Sequence, residues 1–412
     1  MNKYKITGKD IVIVGQQPWD TEIGSNCKDI ALEFSKDNRV LYVNAPLDRN
    51  TVLKHRDDPK IQDRLRVVKG KEQGLKAVSS NLWVLNPDKI MESINWMPHS
   101  PLYNYFNKIN NKRFAGAIEK SIRSLGFRNF ILFNDNDIFR SFYLKDLLLP
   151  EISVYYSRDY MLATDYWRKH GAALEPQLIA KSDLCVANSG YLASYCGRYN
   201  TNAYYVGQGC DLSSFQQAEQ LEMPADMLAL NKPIIGYVGA LVSLRLDIEV
   251  LEYMAAQRPE WNIVLVGPED EAFKNSALHQ MANVHFLGLK TPQQLPAYIQ
   301  NFNVCLNPQR VNEMTIGNYP RKLDEYLALG KPVVATKTEA MEVFKEHVYL
   351  AESKEAYVQL VELGLEDDSK RLQKLRQEFA ATHTWENSVS EIYKAIYTYS
   401  SQKEEKIHAM NS

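Results

Sequence analysis

No stretch of the chain approaches the ~20 consecutive apolar residues that a membrane-crossing helix requires. The opening Met-Asn-Lys-Tyr-Lys-Ile-Thr lacks the apolar core of a secretory signal, so a cytoplasmic location is expected. Cysteine is scarce, with five in 412 residues, at positions 27, 185, 196, 210 and 305. The number is odd and no C-x-x-C pair occurs, which excludes a disulfide framework and a zinc ribbon. Glycine-rich nucleotide motifs are also missing. The first strand candidate runs into Gly15-Gln-Gln-Pro18-Trp19, and a later one passes Gly236-Tyr-Val-Gly239-Ala240. Neither is G-x-G-x-x-G, and no Walker A sequence is present, so a nicotinamide or flavin enzyme and a P-loop NTPase are disfavoured.

What is there is ordinary in amount and uneven in arrangement. Apolar residues make up 45% and charged residues 24%, the balance of a folded globular chain. A length of 412 exceeds one hydrophobic core and predicts two domains. The net charge of -2 hides +7 over residues 1–210 and -9 over the rest. Much of the basic excess lies in 54–76, where Lys54, Arg56, Lys60, Arg64, Arg66, Lys69, Lys71 and Lys76 meet four acids. The stretch reads as a solvated loop or as an attachment to an anionic membrane surface, with Val67, Val68 and Leu75 available to dip into headgroups. No nucleic-acid motif accompanies it.

Short β-branched or aromatic runs alternate with helical periods: 11–14, 40–43, 82–85, 130–133, 154–156, 184–187 and 204–206, then 234–238, 263–266, 284–286, 304–306 and 333–335. Runs buried on both faces and separated by helices predict parallel sheets in an α/β fold. A polar stretch before Asn231-Lys232-Pro233 divides the series. The expected organisation is a first domain over 1–212, a linker over 213–232, a second domain over 233–384 and a terminal helix over 385–412. Ligands of such sheets bind beyond the carboxyl ends of the strands.

The densest local signal is Pro320-Arg321-Lys322-Leu323-Asp324-Glu325-Tyr326-Leu327-Ala328-Leu329-Gly330-Lys331-Pro332-Val333-Val334. It predicts a helix opened by Pro320 and closed by Gly330, followed by a buried strand. Lys322 and Glu325, three apart, share a face near the helix start, where a cation suits a pyrophosphate and a carboxylate can accept from ribose hydroxyls. A plain amphipathic helix with a surface ion pair fits the same spacing.

This segment resembles the donor-binding signature of retaining family 4 glycosyltransferases. Other matches follow in the family's order: Val206-Gly207-Gln208-Gly209-Cys210-Asp211 with Phe215 at the domain junction, Gly236-Tyr-Val-Gly239 with Arg245, and Thr384-Trp385-Glu386-Asn387 at the last helix. The resemblance is dense from Val206 to Tyr399 and loose before it. It implies a GT-B fold, two Rossmann-like doubly wound parallel-sheet domains facing a central cleft. Two departures stand out. Gly317 occupies the position of the first glutamate of the family's E-x7-E pair, and Ala240 follows Gly239 where many relatives carry arginine. A polysaccharide and teichuronic-acid-type branch has N-E-L-T upstream, which Asn312-Glu313-Met314-Thr315 matches.

The resemblance implies transfer of a sugar, with retention, from a nucleotide-diphosphate sugar of the UDP type to a cell-surface polysaccharide or lipid-linked saccharide. Arg245, Lys322 and Glu313 are the expected catalytic residues. Gly239, Asn312, Thr315, Asn318, Glu325 and Gly24 are expected at the donor. Trp19, Asp20, Asp159 and His99 are acceptor-side candidates, Trp19 equally readable as a packing anchor, and His170 is a further one. No resident metal or cofactor is expected: the D-x-D in Asn134-Asp135-Asn136-Asp137 reads as turn and cap chemistry. A GT-B nucleotide-sugar epimerase or phosphorylase, or a non-catalytic donor-binding partner, are the alternatives.

Overall fold

Alternation of buried residues along single strands dictates the layering, as seen in a computed structural model that describes residues 4–21, 24–216 and 221–411. In β1 (Asp10–Val14), Ile11 and Ile13 join one core cluster while Val12 and Val14 join another. A strand packed on both faces needs helices on both sides, the arrangement of a doubly wound sheet.

The chain divides into two units, Met1–Gly207 with Trp385–Ser412, and Gln208–Thr384. The first unit contains β1, β2 (Arg39–Val43), β3 (Leu75–Ser79), β4 (Leu82–Leu85), β5 (Ile131–Asp135), β6 (Ile152–Ser157), β7 (Leu184–Ala187) and β8 (Ala203–Tyr205). Their order is β3-β4-β2-β1-β5-β6-β7-β8, parallel except for the antiparallel edge pair β3–β4. The helix Trp385–Asn411 belongs to this unit. Tyr393 stacks on Phe34 at 5.4 Å, and its hydroxyl accepts from the Asn38 amide at 2.9 Å.

The second unit contains β9 (Ile234–Val238), β10 (Asn262–Val266), β11 (Val284–Phe286), β12 (Val304–Asn307), β13 (Val333–Thr336) and β14 (Tyr349–Ala351). They form an all-parallel sheet in the order β11-β10-β9-β12-β13-β14. The stretch 213–232, expected as a polar linker, buries Phe215 and Met227 in this unit's core; residues 217–220 lie outside the described part.

The basic stretch is not the solvated loop that its charge run allows. Asp58 caps a helix, Pro59–Val68, by accepting from the N–H groups of Lys60 and Ile61, with proline in the first turn where its missing N–H costs nothing. Val67 is buried, so it does not reach a membrane, and Arg64 and Arg66 pair with Asp20, Asp63 and Glu72. Lys54, Arg56, Lys69 and Lys71 are exposed and, among the described residues, have no ion pair. Among the described residues no helix is long and apolar enough to cross a membrane.

Candidate functional site

In the second unit, β9 and β10 end on two glycines that nearly touch. Gly239 has φ +136° and Gly267 φ +153°, and the Gly239 N–H donates to the Val266 carbonyl at 2.9 Å. A Cβ on Gly267 would stand 2.0 Å from the Gly239 carbonyl oxygen, and one on Gly239 would stand 2.8 Å from Lys322 Nζ. Only glycine fits this crossing.

The helix Lys322–Ala328 is fastened beside it. Leu323, Tyr326 and Leu327 are buried, and the Tyr326 hydroxyl accepts from the Val238 N–H at 2.9 Å. Lys322 Nζ donates to the Tyr237 hydroxyl and lies 4.0 Å from that ring's centroid. Among the described residues Lys322 has no carboxylate partner. One turn on, burial raises the Glu325 carboxyl above its usual range, opposed by the charges of Arg321 and Lys322. No hydrogen bond to the Glu325 carboxylate is present among the described residues. A carboxylate half withdrawn from water without donors is short of partners.

Neighbouring Asp324, absent from the sequence-derived set, is fully buried; it pairs with His383 Nδ1 at 2.6 Å and accepts from the Tyr319 hydroxyl at 3.1 Å. It braces the helix against the segment before Thr384, with burial pushing its carboxyl up.

Two loops complete this edge. The loop after β9 is held by Ser243, whose N–H and hydroxyl both donate to Asp270, and by the Leu241 N–H on the Pro268 carbonyl. On its other side, Arg310 N–H donates to the Arg245 carbonyl and the Asn312 amide donates to the Leu244 carbonyl at 2.8 Å. The Arg245 side chain is exposed, with no acid partner among the described residues.

Asn312 and Thr315 form an internal turn. Asn312 Oδ1 accepts from the N–H groups of Met314 and Thr315, and the Thr315 hydroxyl donates to the Arg310 carbonyl. Their side chains therefore hold the loop in shape. Glu313 rides on this turn, exposed; Asn318 is half-buried, and Gly317 is buried. Arg245, Glu313, Gly239, Lys322 and Glu325 thus lie on segments that follow the carboxyl ends of β9, β12 and their neighbours.

The remaining candidates belong to the first unit. Gly24 is exposed just before Ser25, the cap of the helix Asn26–Ser35. Trp19 packs edge-on against Tyr42 at 5.2 Å with Lys28 Nζ 5.1 Å from its ring, an anchor. Asp20 is tied to Arg64 at 3.0 Å. Asp159 pairs with Arg158, which also holds Asp135 at 2.8 Å; Asp137 holds Arg140 at 2.7 Å. The D-x-D carboxylates are thus each taken by an arginine. Arg158, its side chain 13% exposed, is a cation that the sequence pattern passed over. His99 stands 5.8 Å from His170, which stacks on Tyr103 at 3.7 Å.

The family model described as Glycosyl transferases group 1 matches residues 232–367. These residues are a glycosyltransferase group 1 domain. Lys322, Glu325, Gly239 and Arg245 all lie within that domain. Over 183 residues the chain is 26% identical to a Bacillus subtilis (strain 168) protein named "Putative teichuronic acid biosynthesis glycosyltransferase TuaH", covering 42% of this chain. The matched stretch spans less than half, 45%, of that relative's length. Among solved structures, sucrose-phosphate synthase from Thermosynechococcus elongatus aligns with a TM-score of 0.65 at 16% identity, covering 95% of this chain and 99% of the other. Anabaena Alr3699/HepE, in complex with UDP and glucose, aligns with a TM-score of 0.60 at 16% identity over 94% and 99%. The two units share the GT-B fold with these structures.

Proposed function

We propose that this chain is a glycosyltransferase that takes its sugar from a nucleotide-diphosphate sugar, with the donor held by the second unit. One observation carries the reading. A lysine ammonium, fixed by Tyr237 and without a carboxylate partner among the described residues, sits beside a glycine crossing and one turn before a half-buried carboxylate with no hydrogen bond among the described residues. A diphosphate and a ribose diol supply what each group lacks.

In this reading Lys322 and Arg245 neutralise charge developing on the leaving diphosphate, a contribution of several kcal/mol from preorganised charge. Glu325 accepts from the ribose hydroxyls. Glu313 orients the sugar from a turn that Asn312 and Thr315 hold rigid. The bond from the anomeric carbon to the β-phosphate oxygen breaks as the acceptor oxygen bonds to that carbon, and the acceptor proton leaves with the phosphate. Retention of configuration, a UDP donor and a saccharide acceptor of the cell envelope come from the family resemblance and from the relatives' names.

The experiment is incubation with a panel of nucleotide sugars, following diphosphate release with and without oligosaccharide acceptors, beside calorimetry with UDP. Release that rises with an acceptor supports transfer. UDP binding without turnover on any donor would make the chain a binding partner, and absence of both would overturn the reading.

A further inference from the structure

The first unit bears a cavity of about 960 Å³ whose arginines are paired, Arg49 with Glu92 and Arg140 with Asp137. The second unit carries two arginines that are not, Arg245 and Arg310. They lie beyond the carboxyl ends of β9 and β12, where parallel sheets place ligands. There the two loops run antiparallel for a few residues. Leu246 bridges Gln309, the Asp247 N–H donates to the Pro308 carbonyl at 2.9 Å, and the Arg310 N–H donates to the Arg245 carbonyl at 2.8 Å.

In that register Arg245 stands directly opposite Arg310. Residues so paired share a face, with Cβ atoms ~4.5–5.5 Å apart. Leu246 and Gln309, one position on, are 3% and 6% exposed and fill the inner face, so the two exposed arginines take the outer one. Like charges opposite each other on paired strands repel. The acids of these loops do not relieve it. Asp247 caps its own helix by accepting from the N–H groups of Glu249 and Val250, and Asp270 accepts from the N–H and hydroxyl of Ser243. Among the described residues neither guanidinium has an acid partner.

The backbone under the pair is fixed, by Asp270 on one side and by the Asn312 amide on the Leu244 carbonyl on the other. Each guanidinium is a planar fork that a phosphate or carboxylate can meet with two parallel hydrogen bonds. Beside the forks Leu244 and Val311 are 61% and 54% exposed. A bare phosphate would leave that apolar surface wet, whereas the carbon body of an organic anion would cover it.

We infer that Arg245 and Arg310 form a clamp for one oxyanion of an organic ligand. Its ligand follows from the transferase reading, on which that part rests: the donor's diphosphate, or a carboxylate on the donor's sugar. The clamp itself stands on the register and the missing acids.

Calorimetry of the full-length protein with UDP, UDP-glucose, UDP-glucuronate and pyrophosphate, beside thermal unfolding, is the test. Arg310→Gln removes the charge and should weaken the clamped ligand about tenfold or more, as expected for lost hydrogen bonds between charged groups. Its melting temperature should stay level or rise, because a repulsion is gone, and Arg245→Gln should weaken the same probes. Losses shared by UDP, UDP-glucose and pyrophosphate put the clamp on the diphosphate, and a loss confined to UDP-glucuronate puts it on the sugar. Wild type that binds pyrophosphate and no uridine nucleotide, with pyrophosphate lost in Arg310→Gln, would sink the transferase reading and keep the clamp. Affinities unmoved by Arg310→Gln, an affinity loss that comes with a lower melting temperature, or a wild type that binds none of the four probes would overturn the clamp.

Discussion

Replacing Lys322 by alanine tests the donor site most directly, and the surroundings of the ammonium set the size of the effect. Nζ is held by the Tyr237 hydroxyl and lies 4.0 Å from the Tyr237 ring centroid, so it is positioned before any ligand arrives. Loss of one preorganised stabiliser of developing charge costs about 10²–10³ in turnover, or ~2.7–4 kcal/mol. Tyr237→Phe removes only the hydroxyl and keeps the ring under the cation, so it should cost about one hydrogen bond, ~0.5–1.5 kcal/mol or roughly tenfold at most. Tyr237 acts through Nζ, so the double variant should be no worse than Lys322→Ala. Lys322→Arg keeps the charge but spreads it over a planar fork, and its activity should fall between wild type and alanine. Nucleotide release from each variant at saturating donor, with a melting curve to confirm folding, is the assay. Activity of folded Lys322→Ala within a few-fold of wild type would refute the reasoning, and so would additive losses in the double variant.

Four further outcomes can be checked. Gly267→Ala forces a Cβ to 2.0 Å from the Gly239 carbonyl at φ +153°, backbone against backbone, and should destabilise the chain by at least ~1–3 kcal/mol of strain in thermal unfolding. Gly239→Ala adds strain at φ +136° and brings a Cβ to 2.8 Å from Lys322 Nζ, so it should lower both the UDP affinity in calorimetry and the melting temperature. Glu325 titrates above its usual range because it is buried, and ribose hydroxyls donate to its ionised form. UDP-glucose affinity should therefore rise with pH through that raised value, with a proton released on binding, whereas Glu325→Gln should flatten the profile. Sedimentation with anionic vesicles at low salt should pellet the protein through Lys54, Arg56, Lys69 and Lys71, at ~1 kcal/mol per cation, and lose it as salt rises. Pelleting unchanged when these four are neutralised would leave them a solvated surface.

The sheets were legible wherever burial is two-sided. β7 and β9 lie at the bounds the apolar runs predict, because both faces of an interior parallel strand must be apolar. β3 escaped for the opposite reason. It is an antiparallel edge strand with Lys76 to Ser79 exposed, so no period marks it. β14, three residues long, is too short to show one. The helix Pro59–Val68 carried its own signal, Asp58-Pro59 at the start and Leu65 and Val67 on the buried side. Eight cations in the surrounding stretch drew the reading towards a loop.

The site divides along the same line. Lys322 and Glu325 could be read because a helix brings positions three apart together within one segment. What gives Lys322 its place is Tyr237, 85 residues away, and what braces the helix is His383, 59 residues from Asp324. No spacing rule reaches those partners. The D-x-D, read as turn and cap chemistry, has its two carboxylates on arginines, Asp135 on Arg158 and Asp137 on Arg140. The first unit's cavity lies furthest from the sequence. Its walls come from segments between Pro46 and Lys169 that are far apart in the chain. Arg310 likewise becomes informative only when folding sets it opposite Arg245 and leaves neither with an acid among the described residues. A motif can record which groups a chain carries, but a group left over after all the others have paired exists only in the fold.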